Sequence, residues 1–130
     1  MTFDAIGIAG SALTVHRKWL DAISDNMANI NTVKSGDDAA FQERFIIAQE
    51  GQGNGGVFVS GSALGNAEGR LVYSPEHPLA DAEGYVRFPD IDLAEQMSNL
   101  IMAQRGYQAN AAVVDRAKES YQAALQIGRN

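Results

Sequence analysis

The sequence predicts an α+β chain: long N- and C-terminal helices packed as an elongated coiled-coil-like pair, with a small central β module. Three observations carry that reading. Apolar residues recur every three or four positions through the first quarter and the last third of the chain. Most of the glycines and all 3 prolines lie between those runs. Each helical run is also longer than a compact chain of 130 residues is wide. The chain accordingly divides into an N-terminal amphipathic helix (1–32), a Gly/Pro-rich β module (33–89) and a C-terminal amphipathic helix (90–130).

In the first run the core-type positions are Ile6, Ala9, Leu13, His16, Leu20, Ile23, Met27 and Ile30, a heptad seam that only His16 interrupts. Arg17, Lys18, Asp21 and Asp25 fall off the seam, where water solvates them. The helix is expected from Phe3 to Asn31, because Asn29, Asn31 and Thr32 compete for backbone hydrogen bonds and Gly36 follows.

The central region carries short β-branched and aromatic runs at Phe41–Gln49, Gly56–Ser60, Arg70–Ser74 and Tyr85–Phe88, which predict a small β meander. Gly51 to Gly56 and Gly61 to Gly69 read as its connections. Pro75, Pro78, Gly84 and Pro89 outline a rigid extended turn that fixes the module against the helices, proline pre-setting φ and Gly84 admitting a positive one.

The last run places Leu93, Met97, Leu100, Gln104, Tyr107, Ala111, Val114, Lys118, Tyr121 and Leu125 on a second seam. Asp90 and Asp92 stand where they can cap or charge the first turn, and Gly128 is a natural stop. Gly106 inside the run costs about 1 kcal/mol relative to Ala, and it lets another backbone approach closely. Gln104 and Lys118 either select one alignment of the seam, as His16 can, or sit at its edge. Trp19 lies off its seam and is read as an inter-subunit anchor in preference to a contact with the β module.

As helices, Phe3–Asn31 and Asp90–Ile127 would be ~44 Å and ~57 Å long, against a diameter of roughly 36 Å for a compact chain of this size. Two such seams are too long to be covered within one small molecule. Stripes of that extent on a soluble chain signal further partners, so assembly is the expected function.

Composition removes other classes. With 10 Lys plus Arg against 16 Asp plus Glu, the net charge is -6, which disfavours nucleic acid and anionic lipid as partners. The chain has no cysteine, hence no disulfide and no thiolate metal site. No apolar stretch reaches the ~20 residues of a membrane span, and no secretory signal peptide is expected.

Chemical motifs are equally sparse. Gly51-x-Gly53-x-x-Gly56 formally satisfies a dinucleotide fingerprint, but a strand follows where a helix must open, so it reads as a linker. His16 and His77 lack the partner of a helical zinc motif. Asp37-Asp38, Asp81/Glu83 and Asp90/Asp92 read as turn acids and helix caps. No catalytic, cofactor-binding or metal-ligating residue is assigned, and no small-molecule substrate.

Three stretches together carry a resemblance: Ser24-Asp25-Asn26-Met27-Ala28-Asn29-Ile30-Asn31-Thr32, the segment from Leu71 to Pro89 with its Pro-Glu-His-Pro-Leu-Ala-Asp turn leading into Gly84-Tyr85-Val86, and Arg105-Gly106-Tyr107-Gln108-Ala109-Asn110. The chain resembles the bacterial flagellar basal-body rod proteins, and among them the proximal-rod, FlgC-type branch. It departs from the pattern at Asp90, where an Asn commonly follows the proline.

The resemblance implies a non-enzymatic subunit, exported without a Sec signal through the flagellar type III apparatus. It would assemble in the cell envelope with itself and other rod subunits. Leu13, Leu20, Ile23, Met27, Leu100, Tyr107, Val114, Tyr121 and Leu125 are then expected to pack helices in the assembly. Asn26, Asn29, Arg105 and Asn110 are expected to end or cross-link helices by polar contacts. A non-polymerising coiled-coil adaptor is the alternative.

Overall fold

A computed structural model describes residues 2–53 and 55–129; the outermost domain bounds at 1 and 130, and Asn54 in the Gly51–Gly56 connection, lie outside them. The described elements are α1 (Thr2–Ala28), β1 (Lys34–Ser35), β2 (Arg44–Glu50), β3 (Val57–Leu64), β4 (Arg70–Tyr73), β5 (Tyr85–Phe88) and α2 (Leu93–Gly128). At 27 and 36 residues the helices are ~40 Å and ~54 Å long, and their mutual packing is the largest contact in the molecule. The α+β class and the long helical pair are as the sequence predicts.

The helix ends show why those boundaries fall where they do. α1 stops three residues short of Asn31, because Asn29 turns its side chain onto the freed backbone. Its Nδ2 donates to Asp25 O at 2.9 Å, and its Oδ1 accepts from Thr32 Oγ1 at 3.1 Å. α2 begins at the cap: Asp92 Oδ1 accepts from Ala94 N at 2.8 Å and Glu95 N at 3.3 Å. α2 ends at Gly128, as expected, but not through a left-handed glycine. Gly128 is the last helical residue, and Arg129 closes the end in a right-handed conformation, its N–H reaching Gln126 O.

The strands form two sheets instead of one meander: β2–β3 is an antiparallel hairpin, and β1–β5–β4 is a separate antiparallel sheet. Residues Gly61 to Leu64, expected in a connection, belong to β3 and pair with Arg44 to Ile47. The hairpin lies along α1. Ile46, Val57 and Val59 are half-buried, while Phe45, Ile47 and Phe58 on the alternate face are exposed.

The buried core is small. Among described residues only Ile23, Val86 and Ile91 of the buried hydrophobic set are larger than alanine, the rest being Ala9, Ala22, Ala40, Ala103 and Ala117. Large apolar side chains remain outside, including Leu93, Met97, Ile101 and Met102 on α2. No helix of the described residues is long and apolar enough to cross a membrane.

Candidate assembly surface

Two contacts set the register of the helical pair. Asn26 Nδ2 donates to Gln96 Oε1 at 3.2 Å, and Gly106 lies against the ring of His16, where an added Cβ would come within 2.2 Å of Nε2. Ten residues back along α1 thus correspond to ten residues forward along α2, so the helices are antiparallel. His16 is held in place by its Nδ1–H, which donates to Ala12 O at 2.7 Å. Gly106 therefore admits a side chain of α1 at a distance that no other residue allows.

The line of contact on α2 follows Gln96, Ala103, Asn110 and Ala117, each seven residues from the last; three are buried and Asn110 is half-buried. On α1 it follows Ala9, His16 and Ile23, with Asn26 at its end. Alanine, glycine and four polar side chains thus carry much of a junction that the heptad seams were expected to supply. Their small size lets the helices approach closely.

The apolar half of each seam sits beside this line. At about 100° per residue, a step of four rotates a position by ~40°. From Ala9, His16 and Ile23 it leads to Leu13, Leu20 and Met27; from Gln96, Ala103 and Asn110 it leads to Leu100, Tyr107 and Val114. Because the helices run antiparallel, both rotations go to the same side, away from the hairpin. Leu13, Leu20, Met27, Leu100 and Val114 are half-buried there, and Tyr107, at 38% relative exposure, is open to solvent. Leu93, Met97 and Leu125 continue the band along α2 and are exposed, as is Tyr121 near its end. The result is one apolar band along the flank of the pair.

Gln104 and Lys118 lie off the contact line and are exposed, so neither sets the alignment within the chain. Trp19 lies against the β module and not on the outer face: it lines a cleft with Val15, His16, Ile46, Ala48 and Val57. Arg105 is exposed, and its guanidinium makes no hydrogen bond or ion pair among the described residues. Asn110 Nδ2 donates to Gly106 O at 2.8 Å, inside its own helix.

Asn26, only 1% exposed, joins three elements. Its side chain treats Arg44 as a strand neighbour would, accepting from Arg44 N at 2.8 Å and donating to Arg44 O at 3.0 Å, and it also reaches Gln96. Gln96, equally buried, passes its Nε2–H to Glu43 Oε1. Burial raises the Glu43 pKa above its ordinary value; the Gln96 hydrogen bond opposes the rise, and the charges of Glu95 and Asp90 add to it. The neighbouring Arg44 side chain pairs with Asp25, at 2.9 Å.

From Pro75 to Gly84 the segment is a run of turns, and from Tyr85 it is β5, paired with β1 and β4. Asp81 Oδ1 accepts from Tyr85 N at 2.7 Å and Glu83 N at 3.1 Å, and Ser74 N donates to Gly84 O at 2.9 Å. Gly84 is buried at φ +87°, which a side chain would strain. Pro75 and Pro78 are exposed, so the fixing falls to buried Pro89 and Ile91 at the entry to α2. Arg87 adds to it, tying Gly36 O and Glu68 O together through its guanidinium.

Gln96, Ala103, Ala117 and Arg87 were not singled out in the sequence, whereas Asp81 was read there as a turn acid and is one. The seven-residue spacing from Gln96 to Ala117 is the one signal that could have found the first three. Asp37, Asp81 and Glu83 bring their carboxylates near one another, but both Asp81 bonds above serve the turn.

Comparison with known proteins falls on the same regions. The family described as "Flagellar basal body rod FlgEFG protein C-terminal" matches residues 82–127, which hold the end of the turn before β5, all of β5 and nearly all of α2. The chain is 40% identical over 126 residues to the flagellar basal-body rod protein FlgC of Yersinia enterocolitica, covering 94% of each chain. The FlgC protein of Salmonella typhimurium is 37% identical over the same length and share. That of Bacillus subtilis is 31% identical over 147 aligned positions, covering 98% of each.

Proposed function

The chain belongs to the flagellar basal-body rod proteins of the FlgC type, and on that premise we propose that it polymerises through its terminal helices as a structural subunit of the proximal rod. In this reading the subunit has no catalytic task. It transmits motor torque, contributes to the wall of the export channel, and reaches its place in the cell envelope as a substrate of the flagellar type III apparatus without a Sec signal. Its partners are other rod subunits and further copies of itself.

One observation carries the reading. The apolar halves of both heptad seams lie side by side on one flank, so the pair offers a continuous band where a like-built helix can pack. The interior has too few large side chains to be the reason for those seams. Packing that repeats along a lattice is heterologous and open-ended, and many modest contacts then add up to stiffness.

The test uses exposed positions, where the single chain keeps its fold. Met97→Asp and Leu125→Asp are expected to leave helix content and unfolding midpoint unchanged while removing the chain from purified basal bodies and abolishing swimming. Normal incorporation and motility in both variants would overturn the packing proposal. Binding to one helical partner with no place in basal bodies would instead assign the chain as an adaptor.

A further inference from the structure

The flanking band leaves one face of α2 without a partner. Arg105 is two residues past Ala103 on the contact line, a rotation of ~200°, so its side chain points away from α1. Ile101 and Met102 lie four and three residues before it on the same face, and both are exposed. Arg105 is also the one cation of either helix with no acid a turn away along its own helix. Arg17 and Lys18 have Asp21, Arg116 has Glu119 and Lys118 has Asp115. Its guanidinium is an unmatched charge set beside apolar side chains, a combination that recurs at the energetic centres of protein interfaces.

A surplus of the opposite sign lies at the start of the same helix. A pocket of about 220 Å³ forms where α2 meets α1 and the hairpin, and Ile23, Glu43, Phe45, Glu95 and Asn99 help to line it. Glu43 feels the charges of Glu95 and Asp90. None of these three carboxylates forms an ion pair among the described residues, and Arg44, the cation that lines the same pocket, is paired with Asp25. Gln96 donates to Oε1 of Glu43, which leaves Oε2 for a second donor. Phe45, exposed at the pocket, offers an apolar surface next to the acids.

Within one chain the two surfaces are kept apart. Glu95 stands ten residues before Arg105, ~15 Å along the helix, beyond the combined reach of the two side chains. A second copy brings them together, and identical copies meet both needs at once. Each supplies the surplus cation to one neighbour and the surplus acids to another, whereas a foreign partner at either surface leaves the other unmatched. For a chain of net charge -6, whose copies repel, such a match also fixes the orientation of approach.

We propose that Arg105 of one copy enters the pocket of a second copy of this chain and pairs with Glu43 and Glu95, while Ile101 and Met102 pack on Phe45. The planar guanidinium presents donors to more than one carboxylate oxygen, as a lysine would not. Donor and acceptor are different surfaces, so the contact is heterologous and passes from copy to copy. It rests on the rod reading and adds a polar contact to the flanking band.

The test is a charge swap in cells that carry the variant as their only copy of the chain. Arg105→Glu and Glu95→Arg, both at exposed positions, are each expected to lower the amount of the chain in purified basal bodies by ~10-fold or more, because each sets like charges against one another. The double variant restores the attraction with the signs exchanged and is expected to return to within ~3-fold of the unaltered chain. Should Glu95→Arg lower the unfolding midpoint of the purified chain, Asn99→Arg supplies the rescuing charge from the same pocket.

Full incorporation of R105E overturns the pairing. So does a loss that neither acceptor variant rescues, which assigns Arg105 to a different rod protein. Both outcomes leave the rod reading intact. An unaltered chain that is absent from basal bodies overturns the rod reading and the pairing with it.

Discussion

α1 and α2 are built from similar amphipathic patterns, yet they end up in different surroundings. α1 is covered from two directions, by α2 and by the β2–β3 hairpin, and most of its large apolar side chains past Ile8 are buried or half-buried. α2 has one long neighbour, α1, and keeps Leu93, Met97, Ile101, Met102, Tyr107, Val113 and Leu125 exposed. A seam therefore states only that a stripe seeks cover. Whether the cover comes from the same chain depends on how many elements the fold lays against it.

The contrast is broken most directly by truncating one isoleucine on each helix. Ile23, 2% exposed, is expected to cost about 2–5 kcal/mol as Ile23→Ala, whereas Ile101→Ala, at 49% exposed, is expected to cost within about 0.5 kcal/mol. Urea unfolding followed by circular dichroism measures both. Equal losses would mean that α2 is covered in the single chain after all.

A smaller effect sharpens the comparison at the line where the helices meet. Gly106→Ala gains about 1 kcal/mol of helix propensity but drives a methyl into the pinned His16 ring, and overpacking of this kind costs about 1–3 kcal/mol. A net loss of about 1 kcal/mol is expected. With His16→Ala in the background, the same substitution should become neutral or stabilising, and the coupling in a double-mutant cycle is the measurement. Additive effects would remove His16 from the junction.

The smallest effect is electrostatic and sits where both helices meet the hairpin. The folded chain holds the Glu43 proton more tightly than the unfolded one, so between about pH 4.5 and the raised folded value the native state binds more protons. That group's contribution to stability is fully present below the unfolded value and falls as pH rises through the folded one. Glu43→Gln should flatten the fall in unfolding free energy over that window, and an unchanged slope would refute the assignment.

Much of this architecture could be read from residue order, for reasons that particular residues make plain. Asp92 stands two and three residues before the amides it caps, and the three-four stepping of Leu13, Leu20 and Leu100 marks helices because that period has no other use. The contact line could not be read in the same way. Ala103 and Ala117 look like filler until Gly106 is known to face His16, and a period shows which residues share a stripe without naming the opposing surface. The two-sheet arrangement was hidden because β1 is only 2 residues long and pairs with β5, far along the chain. Asn26 was singled out, but its hold on Arg44 is a backbone contact, which side-chain patterns do not encode.

An interior made mostly of alanine also governs how easily a solitary copy comes apart. Burying a methyl yields far less than burying an isobutyl group, so a lone molecule is expected to unfold at a low denaturant concentration. Neighbours that bind only the ordered form stabilise it by mass action. Under the assembly proposed above, toughness would be a property of the filament, while its building block would stay soft enough to be unravelled and wound up again.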